Sequence, residues 1–377
     1  MKIFVLGTRG FPGVQGGVEK HCAELYPRLA KYGHKITIFS RSPYFHKADR
    51  ILNNNGLRFV YLWCPRSKNL ETIFHTFIAS MFCLFKRPDI VHFHNIGPAL
   101  FIPLIKVSGI KTIVTYHSCN YQHQKWNKFA RMVLRLGEAM GIRFADKVII
   151  ISKTTGRFLE KKYCKNDLEF IPNGVNPPEI MPPGDTLEKY KLKPGRYVFT
   201  ACRFVPEKGL HDLIAAYHKI RNPEFKLVIA GDADHETEYS RDLKKSAEGN
   251  QNIALTGLLF GRPLLELYSN AGLFILPSYY EGLPITLLEA LSYGLAVLIS
   301  DIPPNREIPL PDYRYFRVGD IDELNRKMQE LINTGIREEE RKHYRELLEK
   351  EYNWDKIAQR TLGVYKSVFA DSVGNKR

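Results

Sequence analysis

The chain has 377 residues, which is long for one hydrophobic core and predicts two or three domains. Apolar residues make up 44% and charged residues 25%, a composition typical of folded globular proteins. The six cysteines are scattered and never form a CxxC pair, which argues against a disulfide framework or a zinc site and fits reduced thiols in the cytosol.

The net charge of +15 is unevenly distributed. Residues 1–180 hold 27 Lys and Arg against 11 Asp and Glu, whereas residues 181–377 hold 28 against 29. The basic N-terminal half indicates a polyanionic partner, either nucleic acid or an anionic membrane leaflet, unless the charge serves only solubility. The sequence has no zinc-finger spacing, RNP-like motif or arginine-rich tail, so we expect no nucleic-acid partner.

The opening MKIFVLGTRG is predicted to be a buried strand and not a signal peptide. The most membrane-like stretch, Ile73 to Phe85, is too short to span a bilayer and indicates a buried or interfacial helix. We therefore expect a cytoplasmic protein, at most peripheral at the inner face of the cell membrane.

Short β-branched runs alternate with helical patterns through the first half of the chain. The predicted strands are 2–8, 35–41, 58–63, 89–95, 111–118 and 147–152. Near-continuous apolar strands separated by helices predict a parallel sheet covered on both faces.

A Pro/Gly-rich stretch at 171–185, after the strand-like EFI, has the composition of an interdomain linker. The alternation then restarts, with strands predicted at 197–203, 225–231, 252–257, 271–278 and 295–301, and polar helices follow at about 320–370. The pattern predicts two doubly wound α/β domains in tandem, facing a central cleft, with ligands beyond the carboxyl ends of the strands.

The first strand leads into a glycine-rich turn, GTRGFPGVQGGVEKH, in which Gly16 and Gly17 open a helix. Glycines there let a backbone approach a phosphate, although a purely structural turn explains them equally well. The GxxGxxG spacing differs from the dinucleotide GxGxxG, and Arg41 ends the second strand where NAD binding favours an acidic residue. An NAD(P)-dependent dehydrogenase is therefore a weaker alternative.

Three histidines end two consecutive strands: His92, His94 and His117. His92 and His94 point to the same face of their strand, but no carboxylate or cysteine lies at ligand spacing, so we expect no metal. His117, at its strand tip, is the better candidate to meet a ligand.

Arg203 and Lys208 leave the first strand of the second domain in ACRFVPEKGL, at the start of a helix. Fixed positive charge beside free N–H groups suits a diphosphate.

The strongest signal is PSYYEGLPITLLEALSYG at 277–294. Glu281 follows an apolar strand, and Gly282 leaves room for a phosphate at the helix start. Glu289 is carried on an apolar helix and needs a polar partner, such as ribose hydroxyls, because burying a bare charge is costly. Without the surrounding pattern, a solvent-facing Glu289 would be the simpler interpretation.

The R-x4-K pair followed by E-x7-E resembles the GT4 family of retaining glycosyltransferases, which has the GT-B fold of two Rossmann-like domains. The resemblance extends over nearly the whole chain, through GGVE (16–19), His117, PNGV (172–175), CRFVPEKG and EGLPITLLEA. It implies an N-terminal acceptor domain at 1–175, a donor domain at 176–353, and a last helix, 354–377, that packs back on the first domain.

The resemblance also implies the roles of individual residues. Arg203 and Lys208 would bind the donor diphosphate, Glu281 the sugar hydroxyls and Glu289 the ribose. His117 would hydrogen-bond the sugar, and the remaining donor contacts would come from Gly16, Gly17, Gly257, Gly282 and Leu283, with the base near 255–263. Relatives carry a Gly-rich stretch where this chain has SDIPPNREIP (300–309), so the role of that segment stays open.

By this resemblance the chain is a hexosyltransferase-type enzyme that uses a nucleotide sugar and needs no cofactor or metal. Its acceptor would be a lipid-linked or cell-surface polysaccharide intermediate, such as lipopolysaccharide O-antigen, capsule or exopolysaccharide. A GT-B nucleotide-sugar epimerase and a non-catalytic nucleotide-sugar sensor are the alternatives.

Overall fold

The computed structural model describes residues 1–44, 56–65, 70–119, 121, 128–220 and 224–374, with the side chains of 371–374 excepted. The chain divides into two compact units, Met1–Asn173 with Trp354–Arg377, and Gly174–Asn353. Each unit is an α/β body with one parallel sheet, so the predicted α/β class is confirmed.

The first unit is built on a seven-stranded parallel sheet of order β3-β2-β1-β4-β5-β6-β7. Its strands are β1 (Lys2–Leu6), β2 (Lys35–Arg41), β3 (Leu57–Leu62), β4 (Ile90–His94), β5 (Lys111–Tyr116), β6 (Lys147–Ile150) and β7 (Leu168–Phe170). The helices between them are α1 (Gly17–Lys31), α2 (Glu71–Lys86), α3 (Ile96–Ala99), α4 (Ile102–Val107), α5 (Lys128–Phe144) and α6 (Lys153–Tyr163).

The second unit repeats this topology in a six-stranded sheet of order β10-β9-β8-β11-β12-β13. Its strands are β8 (Tyr197–Ala201), β9 (Lys226–Ala230), β10 (Ile253–Gly257), β11 (Leu273–Leu276), β12 (Ala296–Ser300) and β13 (Tyr315–Phe316), of which only β13 was not predicted. Its helices are α7 (Asp185–Lys189), α8 (Leu210–His218), α9 (Glu238–Ala247), α10 (Arg262–Asn270), α11 (Ile285–Ser292), α12 (Ile321–Thr334) and α13 (Glu338–Glu351).

The last helix, α14 (Trp354–Gly374), belongs to the first unit, where it packs beside α1. Trp354, Ile357 and Tyr365 are buried in the same apolar cluster as Leu25 of α1. Residues 375–377 of the predicted range lie outside the described residues. Burial of this helix covers one face of the first sheet, on the side of Ile3 and Val5.

Two further features concern the helices and the cysteines. Among the described residues, none of the helices is both long and apolar enough to cross a membrane. All six cysteines are free thiols, and only Cys164 is exposed.

Candidate active site

The loops after β8 and β11 are pressed together at the carboxyl edge of the second sheet, because these two strands are neighbours. Gly209 has φ +64°, and a Cβ built there would lie 2.1 Å from the carbonyl oxygen of Pro277. The backbone N–H of Tyr279 also donates to the carbonyl oxygen of Glu207 at 2.9 Å. Glycine at 209 therefore permits the close approach that brings the two predicted donor loops together.

Lys208 and Glu281 form an ion pair where these loops meet. The Nζ of Lys208 lies 2.5 Å from Oε1 of Glu281, and the Ser278 hydroxyl donates to the same oxygen at 2.6 Å. Glu281 is buried, whereas Lys208 is half-buried. Lys208, which was predicted to bind the diphosphate, and Glu281, which was predicted to bind the sugar, are thus in direct contact. Their spacing in sequence did not reveal this contact.

Arg203 also has a carboxylate partner. Its Nη1 donates to Oδ2 of Asp234 at 3.0 Å, and both side chains are about one-quarter exposed. Asp234 follows β9, the strand next to β8. Sequence reasoning missed this residue, although an acidic GDAD loop after an apolar strand marks it.

Glu289 is half-buried on α11, and its Oε2 accepts a hydrogen bond from the Tyr268 hydroxyl at 3.1 Å. Tyr268 is fully buried against Phe199, and burial, followed by the nearby Glu289 charge, raises the pKa of its phenol well above the usual value. The polar partner that a glutamate on an apolar helix requires is therefore supplied in part by the protein.

The other residues of the second unit that were predicted to bind the donor differ in their exposure and in the space around them. Gly257 has φ +70° and ends β10, with open space where a Cβ would stand. Gly282 is half-buried, whereas the Leu283 side chain is only 5% exposed. Leu283 can therefore offer a ligand little beyond its backbone.

The segment 300–309 supports the loop after β11. The Ser300 hydroxyl donates to the carbonyl oxygen of Ser278 at 2.5 Å, and the buried Asn305 amide donates to the carbonyl oxygen of Ser300 at 2.9 Å. Arg306 pairs with Asp301 at 2.7 Å. The contact from Ser300 holds Ser278, which itself bonds to Glu281. The segment therefore has a structural role.

In the first unit, Gly16 precedes α1 with φ 152°, and a Cβ there would lie 2.1 Å from Oε2 of Glu19. Glu19 is buried and pairs with Arg9 at 3.2 Å. Burial would raise the pKa of Glu19, but the Arg9 charge and hydrogen bonds outweigh it, and the pKa is lowered. Gly17, in contrast, has open space around a hypothetical Cβ.

His117 ends a chain of hydrogen-bonded aromatic side chains at the carboxyl edge of the first sheet. Its Nε2 lies 2.9 Å from Nδ1 of His94, and Nε2 of His94 lies 2.5 Å from the Tyr26 hydroxyl. That hydroxyl is 3.1 Å from Nδ1 of His92, which also lies 2.6 Å from the Tyr365 hydroxyl. The Tyr26 hydroxyl therefore links His92 to His94.

A further histidine, His21, packs edge-on against His117, with ring centroids 4.9 Å apart. Its Nδ1 lies 2.9 Å from Oδ1 of Asn173. Among the described residues, His21, His94 and His117 are the group whose ligand atoms could hold a metal, all within 4.8 Å. Two of these ligand atoms, Nδ1 of His94 and Nε2 of His117, are at hydrogen-bond distance from each other, whereas His21 only packs against the other two rings.

Burial governs the charge of these histidines. It lowers the pKa of His21 to about 4 and that of His92 to about 3, and it lowers the pKa of His94 and His117 well below the usual range. All four imidazoles are therefore neutral at physiological pH. Nothing in the sequence besides GGVEKH marked His21 as part of this cluster.

The chain is similar to known protein families and to known proteins. Residues 186–354 match the family "Glycosyl transferases group 1", and residues 15–179 match "Glycosyltransferase Family 4". The UDP-Gal:alpha-D-GlcNAc-diphosphoundecaprenol alpha-1,3-galactosyltransferase of Escherichia coli is 28% identical over 277 residues, which are 69% of each chain.

Two solved structures are similar in fold. Sucrose-phosphate synthase from Thermosynechococcus elongatus aligns with TM-score 0.80 and 20% identity over 98% of this chain and 99% of its own. The Anabaena protein HepE in complex with UDP-glucose aligns with TM-score 0.79 and 15% identity over 97% of this chain and 100% of its own. The fold is therefore GT-B. The family matches and the E. coli relative show that the molecule is a glycosyltransferase that uses nucleotide-sugar donors. The chain belongs to the GT4-type glycosyltransferases, as its motifs predicted.

Proposed function

We propose that this enzyme moves a sugar, with retention of anomeric configuration, from a nucleotide-sugar donor to a lipid-linked or cell-surface polysaccharide intermediate. The second unit takes the donor, and the first unit takes the acceptor. The observation that carries the donor assignment is the Lys208–Glu281–Ser278 cluster, with the Arg203–Asp234 pair on the neighbouring loop.

These ion pairs are suited to exchange with a substrate. Lys208 and Arg203 are partly exposed, so each retains hydration and can trade a carboxylate for a phosphate oxygen at modest cost. Glu281, released from Lys208, then accepts hydrogen bonds from sugar hydroxyls. The pairing with carboxylates keeps both cations in place before the donor arrives.

The chemical step breaks the bond between the anomeric carbon and the phosphate oxygen, while the acceptor oxygen bonds to that carbon on the same face. The acceptor hydroxyl gives its proton to the departing phosphate, and the nucleoside diphosphate leaves. Arg203 and Lys208 stabilise the negative charge that develops on the phosphate. Because two fixed cations serve this purpose, we expect no divalent ion to be required.

The remaining residues orient the donor. Glu289 binds the ribose in competition with the Tyr268 hydroxyl, and Gly257 leaves room beside β10 for the base. The backbones at Gly282 and Leu283 meet the phosphates. On the first unit, Gly16 and Gly17 meet the donor and His117 hydrogen-bonds the sugar through Nδ1, because its Nε2 faces His94.

One relative and the charge distribution support the acceptor class and the location. The E. coli relative is named for a diphosphoundecaprenol-linked acceptor, which supports a lipid-linked acceptor here. The basic first half would hold the enzyme at the anionic inner face of the cell membrane, at up to about 1 kcal/mol for each Lys or Arg near the surface.

The first experiment is a donor screen that measures hydrolysis and transfer with UDP-, GDP- and dTDP-sugars, beginning with the UDP-sugars named for the relatives. NMR of the product tests retention, and added EDTA tests the absence of a metal. A product that is an epimerised nucleotide sugar without transfer would overturn the proposal.

The second experiment tests the donor cluster through Glu281→Ala. We expect turnover to fall by at least about a hundredfold, with nucleoside diphosphate binding within about threefold of the parent. The matched control is Glu346→Ala, an exposed glutamate of the same unit on α13. Unchanged turnover in Glu281→Ala would contradict the assigned role.

A further inference from the structure

In helix α2 the polarity of the buried and exposed sides is the reverse of that in an ordinary surface helix. Its buried side is polar or small, whereas its exposed side is aromatic. The buried residues are Glu71, His75, Thr76, Ala79, Ser80 and Cys83, and the exposed ones are Phe74, Phe77, Met81, Phe82 and Phe85. Positions 74, 77, 81 and 85 recur at helical spacing and lie on one face. A helix in water normally buries that face.

The neighbouring helices extend this aromatic side. The ring of Phe77 lies 6.0 Å from that of Phe101, which immediately precedes α4. A Cβ built on Gly97 of α3 would lie 3.5 Å from both Thr72 of α2 and Leu134 of α5. These helices therefore adjoin. Their exposed apolar side chains are Leu104, Val107, Phe129, Met132 and Leu136. These side chains and the exposed ones of α2 together form a surface that we call the apolar face.

The apolar face lies on the opposite side of the sheet from α1 and α14. Phe82 packs against Phe39, with ring centroids 6.0 Å apart, and Gly141 of α5 packs against Val114. Val114 faces away from the cluster that buries Ile113. The apolar face is thus separate from the side that α14 covers.

Around the apolar face the charge has one sign. Residues 70–144 contain nine basic residues and three acidic ones. None of the three acids is exposed: Glu71 pairs with Arg41 at 2.9 Å, Asp89 accepts from the backbone of Lys2, and Glu138 is fully buried. The exposed cations at the face include Lys86, Arg87, Lys128 and Arg135.

We propose that the apolar face inserts into the headgroup boundary of an anionic lipid bilayer, with the surrounding cations at the lipid phosphates. Exposed aromatic side chains on helices, rimmed by Lys and Arg and without exposed carboxylates, complement an anionic membrane surface in both polarity and charge. This inference deepens the proposed function by replacing a purely electrostatic attraction with a defined insertion surface on named helices.

The test is flotation of the full-length protein with vesicles of phosphatidylcholine alone and with roughly one-third phosphatidylglycerol. The variant Phe85→Ser/Phe129→Ser/Met132→Ser removes three side chains that are 81%, 65% and 59% exposed, so little packing is lost. We expect its partition onto anionic vesicles to fall at least about tenfold. The matched control is Ile180→Ser, a 64% exposed residue of the second unit, which should bind like the parent.

A charge variant separates the two contributions. Lys128→Gln/Arg135→Gln should weaken binding at low salt, whereas the serine variant should also remove the binding that persists at high salt. Depth-dependent quenching by brominated lipids of a Phe85→Trp variant, beyond the quenching of the parent, reports insertion directly. Undiminished binding of the serine variant would overturn the proposal. So would a change in its oligomeric state with vesicle binding intact, since the face would then contact a second copy.

Hydrolysis of the donor without acceptor keeps this test apart from the proposed function. If the serine variant hydrolyses donor like the parent but no longer floats, the surface is assigned independently of the donor site. If the parent floats but transfers no sugar from any donor, the proposed function fails and the insertion surface stands.

Discussion

The carboxyl edges of the two sheets carry different polar groups although their strand orders correspond. In the second unit the groups are charged and paired, as in Lys208–Glu281 and Arg203–Asp234, and both cations are partly exposed. In the first unit the ends of β4 and β5 instead carry neutral, buried imidazoles, of which His92 and His94 bond to tyrosines. Partly exposed ions can change partners when a charged substrate binds, whereas a buried network loses hydrogen bonds if any member moves. The edge of the second sheet is therefore suited to adaptable binding, and that of the first sheet to fixed geometry.

The largest expected effect comes from removing an exchangeable charge. In Lys208→Ala the departing phosphate loses a cation, and we expect turnover to fall by about a hundred- to a thousandfold. The control is Lys219→Ala, an exposed lysine of the same unit that pairs with Asp322. Steady-state kinetics of both variants provide the measurement, and equal rates for the two would contradict the assignment to Lys208.

The buried histidines predict a dependence of stability on pH. Because burial lowers the pKa of His21 from 6.5 to about 4, the unfolded chain binds a proton more readily than the folded one. Stability is therefore complete above about pH 6.5 and declines as the pH falls toward 4, by about 2 kcal/mol at pH 5 for this histidine.

Urea denaturation at pH 7 and pH 5 measures this effect. In His21→Gln the loss of unfolding free energy between the two pH values should shrink by about that amount. His235→Gln, which changes an exposed histidine of the second unit, should leave it unchanged. The same decline in both variants would show that His21 is not a source of the effect.

The two glycines at the start of α1 allow a finer test of fixed geometry. Gly16→Ala places a Cβ against the Glu19 carboxylate and strains a backbone with φ 152°, so we expect a loss of about 1–3 kcal/mol. Gly17→Ala meets open space and should change stability by less than about 0.5 kcal/mol. Thermal unfolding compares the pair, and equal melting temperatures would remove the constraint inferred at Gly16.

The smallest effect is expected at the half-buried Glu289, a charged group whose hydrogen-bond donor is a buried tyrosine. Tyr268→Phe removes the hydrogen bond to Glu289 and should cost about 1 kcal/mol of stability. If Glu289 exchanges this hydroxyl for the ribose, nucleotide affinity should hold or rise slightly. Calorimetric titration of the nucleoside diphosphate checks this, with Tyr313→Phe, an exposed tyrosine of the same unit, as control.

Much of the fold could be predicted because periodicity is a local property. All but one of the strands follow from short apolar runs, and β13, with two residues, is too short to leave such a pattern. The motifs alone also indicate Arg203, Lys208, Glu281 and Glu289 as candidate donor-binding residues. The partners of these residues were not predictable, because Asp234 and Tyr268 come from other loops and helices.

The sequence by itself determined the α/β class, the two-domain pattern, the family and the residue types at the strand ends, since these depend on spacing along the chain. Tertiary structure decided which side chains meet. It paired Lys208 with Glu281, placed His94 at hydrogen-bond distance from His117, and left the phenylalanines of α2 exposed. Burial and hydrogen bonding act between residues far apart in sequence, and they decide whether a charge, an imidazole or an aromatic ring is available to a ligand.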